Sequence, residues 1–147
     1  GKGEQEIQYK HLSEKLGVDN ITTWLGFISQ EDAAKEWANM DLAIVASTLE
    51  SESFGVSAVE AEACGIPVII SDIPGLMEAT LPEVTSVIVP RKNEKALATA
   101  IIDLFNDSER RVAMGKEGRK FVSSVYELNK CFYKPESVFK KLARKDL

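Results

Sequence analysis

Two rhythms of apolar spacing divide this chain. Residues 5–16 place Ile7, His11, Leu12 and Leu16 at helical intervals and are followed by Gly17, which predicts an amphipathic helix with a glycine stop. Residues 21–27 are short and rich in β-branched and aromatic side chains, the pattern of a strand. Ser29-Gln30-Glu31-Asp32 reads as a capping box ahead of a helix running to Met40, with Asp32 in the place of the usual Glu or Gln. Residues 42–46 form a continuous apolar run, as expected of a strand buried on both faces. A polar loop over 47–52 leads to a helix from about Val56 to Cys64, closed by Gly65.

The alternation continues to the C-terminus. Residues 67–70 predict a third strand, with Pro67 at its start where a missing donor is tolerated, and 86–89 a fourth, ended by Pro90. One or two helical turns over 76–80 lie between them. Residues 94–105 predict a helix with Leu97, Ala98, Ile101, Ile102 and Phe105 on one face. From Ser108 onward the chain reads as helix, in three pieces broken near Gly115–Gly118 and near Pro135. Strands alternating with helices imply an α/β fold, a Rossmann-like doubly wound parallel sheet of about four strands with C-terminal helices.

Composition narrows the function classes. The 147 residues suit a single domain with a real core, here taken as one unit over 1–147. A net charge of −5 argues against a general nucleic-acid surface. No apolar run approaches a membrane span and no signal-peptide pattern is present, so a cytoplasmic location is expected. Cys64 reads as a small buried hydrophobe and Cys131 as uncommitted, with no disulfide between them. His11 is the sole histidine and reads as a surface residue; with no Cys/His cluster there is no metal signal, and no cofactor is implied. Arg91 and Lys92 read as solvated. Gly1 is no initiator Met, so the chain is expected to be a piece of something longer.

The chemistry concentrates between Glu52 and Glu78. Gly55 lets the backbone approach a ligand or adopt positive φ, and it precedes a helix whose first N–H groups lack internal partners. Those donors and the helix dipole suit a phosphate. Glu60, about one turn into the helix, can accept two hydrogen bonds from a vicinal diol such as a ribose. Glu52, on the loop, can reach a sugar hydroxyl on the other side of the phosphate. Helix-capping and dipole chemistry explains Glu60 equally well. Gly65 reads as a helix C-cap, Ala61 and Ala63 as helix–sheet packing, and Glu78 as a helix carboxylate. Gly75 serves either a tight turn or a ligand's approach.

The ordered set Leu25-Gly26-Phe27, Asp41-Leu42-Ala43-Ile44-Val45, Ser47, Glu52-Ser53-Phe54-Gly55, Glu60-Ala61-Glu62-Ala63-Cys64-Gly65-Ile66-Pro67-Val68-Ile69, Ser71-Asp72, Gly75 and Glu78 resembles the group 1 family of retaining glycosyltransferases. The likeness is to the C-terminal, nucleotide-sugar-binding half of these two-domain GT-B enzymes. It extends through the tail segments 104–110 and 114–119. Two glutamates eight positions apart around Phe54-Gly55, followed by Cys64-Gly65-Ile66-Pro67, make a far more specific combination than any single glycine pattern.

The resemblance implies transfer of a hexose, with retention, from a UDP-, GDP- or ADP-sugar, generally with no metal in the donor site. It implies that Glu60 binds the donor ribose and that the backbone of Phe54 and Gly55 contacts the diphosphate or sugar. Glu52 would face the transferred sugar near its anomeric carbon, as the catalytic position, and Gly26, Phe27 and Ile28 would border the base. There are departures. Ala46-Ser47 stands where the family has Pro-Ser, and the loop to Glu52 is one residue longer. Gly1-Lys2-Gly3 corresponds to the loop after the family's second strand in this half. The first strand, helix and second strand, the cations that neutralise the diphosphate and the N-terminal acceptor domain are therefore expected to lie outside the chain. The parent enzyme would be cytoplasmic or peripheral to the inner face of a membrane. Strands 21–27 and 42–46 are then expected to pair directly, with exposed edges that favour self-association into a homo-oligomer. The alternative reading is a non-catalytic nucleotide or sugar-phosphate binding module of the same fold.

Overall fold

The structure is a computed structural model that describes residues 3–49 and 54–127, together with 131, 135, 137, 139, 140 and 142. The chain divides into two compact units, Gly1–Lys35 and Glu36–Leu147. In the first, helix α1 (Glu6–Leu16) ends at Gly17, whose φ of 70° lets Val18 N–H reach the carbonyl of Ser13 at 3.0 Å. A 3₁₀ turn over Asp19–Ile21 follows, fastened where Thr22 Oγ1 donates to the carbonyl of Val18 at 2.7 Å. Ser29 opens helix α2 (Gln30–Ala38): its Oγ accepts from Asp32 N–H at 3.1 Å and donates to the Asp32 carboxylate at 2.7 Å.

Residues 21–27 are not a strand. After the 3₁₀ turn they run irregularly, and Gly26 adopts a left-handed φ of 65°. Strand-forming composition describes side chains that suit a pleated, half-buried surface, and it makes no strand without a neighbour to pair with. The described residues therefore contain three strands, not about four, and the expected pairing of 21–27 with 42–46 does not form.

In the Glu36–Leu147 unit, β1 (Ala43–Val45), β2 (Val68–Ser71) and β3 (Ser86–Val89) make a parallel sheet in the order β1-β2-β3. Ala43 lies opposite Val68, and Val68 opposite Ser86. Strand β2 is central and every residue in it is buried, because helices cover both faces. Its period of two sends Val68 and Ile70 into a cluster with Ala43, Ala58, Ala61, Ile73 and Leu76, and Ile69 into another with Val89, Leu104 and Met114. Each buried Val, Ile, Leu or Met among them contributes about 1.5–3 kcal/mol relative to exposure. The fold is α/β with a parallel sheet, as the alternation predicts.

Helices α3 (Val56–Ala63), α4 (Pro74–Ala79), α5 (Glu94–Asn106) and α6 (Ser108–Val125) complete the unit. In α5 the inward stripe is Leu97, Ala100, Ile101 and Leu104, while Ala98, Ile102 and Phe105 are exposed. The helix has two adjacent apolar stripes and only one can face the sheet. Phe105 instead lies against the Arg111 guanidinium, 5.3 Å from the ring centre. Asp107 separates α5 from α6 by capping the latter, its Oδ1 accepting from Arg110 N–H at 2.9 Å. Helix α6 passes unbroken through Gly115 and Gly118, which serve packing and not chain reversal. The break expected near Pro135 is flanked by positions outside the described residues.

Candidate functional site

All three strands are parallel, so their C-terminal ends share one edge of the sheet, the edge where ligands bind in open α/β folds. Helix α3 begins beyond the end of β1, α4 beyond β2, and Arg91 just beyond β3. Gly55 opens α3 with φ 71° and ψ 51°, and as the N-cap residue it contributes no side-chain cap. Glycine is required there twice over. The left-handed backbone disfavours a side chain, and a Cβ would fall 2.3 Å from Cδ2 of fully buried Leu76. The packing of Gly55 on Leu76 thus sets where the N-terminus of α3 sits.

Glu60, the fifth residue of α3, is half-buried, and its carboxylate makes no hydrogen bond or ion pair among the described residues. Phe54 is exposed on one side, and its ring meets Tyr126 edge-on at 5.4 Å. Phe54, Gly55 and Glu60 are therefore brought together at the start of one helix. Glu52 lies outside the described residues. Gly75 sits inside the first turn of α4 behind Pro74, and Glu78 is exposed on the same helix. Among the described residues no group of three or more His, Cys, Asp or Glu side chains could hold a metal ion.

Gly26, Phe27 and Ile28 belong to the other unit. There a groove of about 730 Å³ is lined by residues that include Tyr9, Trp24, Leu25 and Gly26, with Lys10 Nζ 5.9 Å from the Trp24 ring centre. Phe27 is exposed and Ile28 half-buried.

The family profile described as glycosyl transferases group 1 matches residues 1–121. The chain belongs to the group 1 glycosyltransferases. Among curated relatives of this family it is 37% identical over 117 residues to D-inositol 3-phosphate glycosyltransferase of Corynebacterium kroppenstedtii, covering 79% of this chain and 25% of the relative. It is 29% identical over 140 residues to an uncharacterised glycosyltransferase of Methanocaldococcus jannaschii, covering 95% and 35%. Among solved structures, sucrose-phosphate synthase from Thermosynechococcus elongatus superposes with a TM-score of 0.89 at 29% identity, over 97% of this chain and 35% of that one. The Anabaena protein HepE in complex with UDP-glucose gives 0.85 at 25% identity, over 95% and 38%. The chain spans about a third or less of the length of the curated relatives it matches.

Within this glycosyltransferase chain, two polar contacts escaped the sequence reading. Arg91 is not merely solvated. Its backbone N–H and its Nε both donate to Asp72 Oδ1, at 2.8 and 3.2 Å, tying together the chain segments that leave β2 and β3. Glu62 is fully buried on the inner face of α3 and accepts a hydrogen bond from Thr85 Oγ1 at 2.5 Å. A signal for Glu62 was present. It lies four residues after Ala58 and next to Ala61, on the stripe that faces the core. Burial raises its pKa from the usual 4.5 to about 7, partly offset by the Thr85 hydrogen bond.

Proposed function

We propose that this chain forms the donor-binding part of a retaining glycosyltransferase that moves a hexose from a nucleotide diphosphate sugar. The observation that carries this reading is the start of α3 behind Gly55 at the C-terminal edge of a parallel sheet, with Glu60 one turn inside it and its carboxylate making no hydrogen bond or ion pair among the described residues. The N–H groups behind Gly55 suit a diphosphate, and a carboxylate at Glu60 suits the paired hydroxyls of a ribose. The complex of the related HepE with UDP-glucose supports a uridine nucleotide among the UDP-, GDP- and ADP-linked candidates. During transfer the helix dipole and backbone donors would stabilise the departing diphosphate. Glu52 would offset positive charge developing on the sugar, and an acceptor domain in the full-length protein would position the acceptor hydroxyl that attacks it as the nucleotide diphosphate leaves. The chain by itself is expected to lack transferase activity, because positioning of the acceptor supplies much of the rate.

Calorimetry of this chain with UDP, GDP and ADP and with their glucose conjugates tests the reading. One nucleotide series should bind, and Glu60→Gln should weaken it by about 1.5–3 kcal/mol, the range for a lost charge-assisted hydrogen bond. A 2′-deoxy nucleotide should be affected far less by the substitution. Equal losses for the ribo and 2′-deoxy ligands would sink the assignment of Glu60.

A further inference from the structure

Helix α3 bears two carboxylates in opposite settings. Glu60 stands at the candidate site, whereas Glu62 is fully buried against α6. Gly118 of α6 faces it so closely that a Cβ there would lie 3.2 Å from Cγ and 3.3 Å from Cβ of Glu62. One turn earlier in α6, a Cβ on Gly115 would collide with the carbonyl oxygen of Gly65 at 2.0 Å. The two helices thus meet along a seam that glycine makes possible, and the seam encloses an acid. Thr85 satisfies Glu62 Oε1, while Oε2 has no hydrogen-bond partner among the described residues.

No cation neutralises it: Glu62 makes no ion pair among the described residues. Helix α6 turns Gly118 and, at its end, Tyr126 toward this region. Its Lys116, Arg119 and Lys120 are exposed, and Glu117 pairs with Lys120 at 3.3 Å. The turn that carries Thr85 adds exposed Glu83, α4 adds exposed Glu78, and α3 itself adds half-buried Glu60 and Cys64. The sheet contributes uncharged Ser86. An isolated carboxylate so enclosed is disfavoured relative to the neutral acid.

The same seam reaches the start of α3. The Tyr126 ring meets Phe121 edge-on at 5.8 Å and Phe54 edge-on at 5.4 Å, and its hydroxyl donates to the carbonyl of Ala79 at 3.4 Å. Burial first, and then the charge of Glu62, push the Tyr126 phenol above its usual range. Phe54 directly precedes Gly55, so the surroundings of Glu62 and the opening of α3 share a wall.

We propose that Glu62 is a positioning residue, a neutral acid that keeps α3 seated on α6 and so fixes Phe54 and Gly55, and that its ionisation loosens this seat and weakens nucleotide binding. The inference rests on the nucleotide-binding reading given above. As the acid, Glu62 can donate its proton to Thr85 Oγ1, whose own hydrogen then turns to the Leu81 carbonyl, 3.4 Å away. Once the proton has left for solvent, the remaining charge needs water, and water reaches it only if α3 parts from Gly118. Helix α3 is only eight residues long, so a shift at Glu62 moves its first turn as well.

The closing experiment has a nucleotide-free arm and a nucleotide arm. NMR of this chain between pH 5 and 8.5 should show the Gly55 and Val56 amides and the Phe54 ring shifting with a common midpoint near 7, the value to which burial lifts Glu62. Glu62→Gln, which mimics the neutral acid, should abolish the shift, and Thr85→Val should move the midpoint upward. Carbon-detected titration of the Glu62 carboxyl in the unsubstituted chain gives the same midpoint without any variant. If only the protonated seat binds, UDP-glucose affinity, whose diphosphate has no terminal phosphate to titrate in this range, should fall roughly tenfold from pH 6 to pH 8, and Glu62→Gln should remove the difference. A Glu62 midpoint near 4.5, or Gly55 shifts that persist in Glu62→Gln, overturns the inference. Failure of UDP, GDP and ADP alike to bind at either pH overturns the nucleotide reading, and the nucleotide-free arm still decides whether Glu62 controls the opening of α3.

Discussion

Similar apolar residues are put to opposite use in the two units. In Glu36–Leu147, Val68, Ile69 and Ile70 are wholly buried between helices on both faces of a sheet. In Gly1–Lys35, Ile21 is 80% exposed and Phe27 75%, although both lie in a segment of strand-like composition. The difference is one of partners. Strand 68–71 has a parallel strand on each side, whereas residues 21–27 form no strand pairing among the described residues. Burial of apolar surface and satisfaction of backbone hydrogen bonds arrive together in a sheet, and without the second the first does not follow.

Substitutions at matched positions would break or sharpen this contrast. The largest effect is expected at the centre of β2. Ile69→Ala should cost about 2–5 kcal/mol in urea unfolding, since its cluster with Val89, Leu104 and Met114 cannot collapse onto the space. A loss below about 1 kcal/mol would place the core of the unit elsewhere. Next comes the helix seam. Gly115→Ala gains helix propensity but drives a Cβ to 2.0 Å from a backbone oxygen, which cannot rotate away, so a net loss of about 1–3 kcal/mol is expected. A stabilised variant would show that α3 and α6 are not in fact held by that contact.

Proton linkage gives a third test. Glu62 titrates near 4.5 in the unfolded chain and near 7 in the folded one, so between those values the folded state holds the extra proton. Its contribution to stability is therefore fully present below about pH 4.5, declines as pH rises, and is gone above about 7. Melting temperature followed across that window should fall in the unsubstituted chain relative to Glu62→Gln. Parallel curves for the two proteins would refute the linkage. The smallest effect is expected in the first unit, where Phe27→Ser should change stability by no more than about 0.5 kcal/mol. A loss comparable with that of Ile69→Ala would erase the distinction between the units.

Much of the molecule was legible because its signals are local. Gly17 and Gly65 as helix stops, Ser29 as a cap, the strand-forming runs at 42–46, 67–70 and 86–89, each within a residue or so of an observed strand, and the glycine before α3 each follow from one residue's backbone preference or from short-range periodicity. The motif around Phe54, Gly55 and Glu60 was sufficient to indicate the family. Gly115 and Gly118 were misread as breaks because the same property, the missing side chain, permits both a broken helix and a close helix contact. The sequence window around them does not say which.

What the sequence by itself determined, then, is the alternation of elements from 42 onward, the α/β class and the family. Tertiary structure alone decided that residues 21–27 form no strand, that Leu104 and not Phe105 points inward, and that of Glu62 and Glu60, two residues apart on α3, the first is fully buried and the second half-buried. The reason is physical. Backbone preference and periodicity are fixed by neighbours in the chain, whereas pairing, burial and the charge state of a carboxyl depend on groups brought close from elsewhere, here Thr85 and Gly118, 23 and 56 positions away from Glu62.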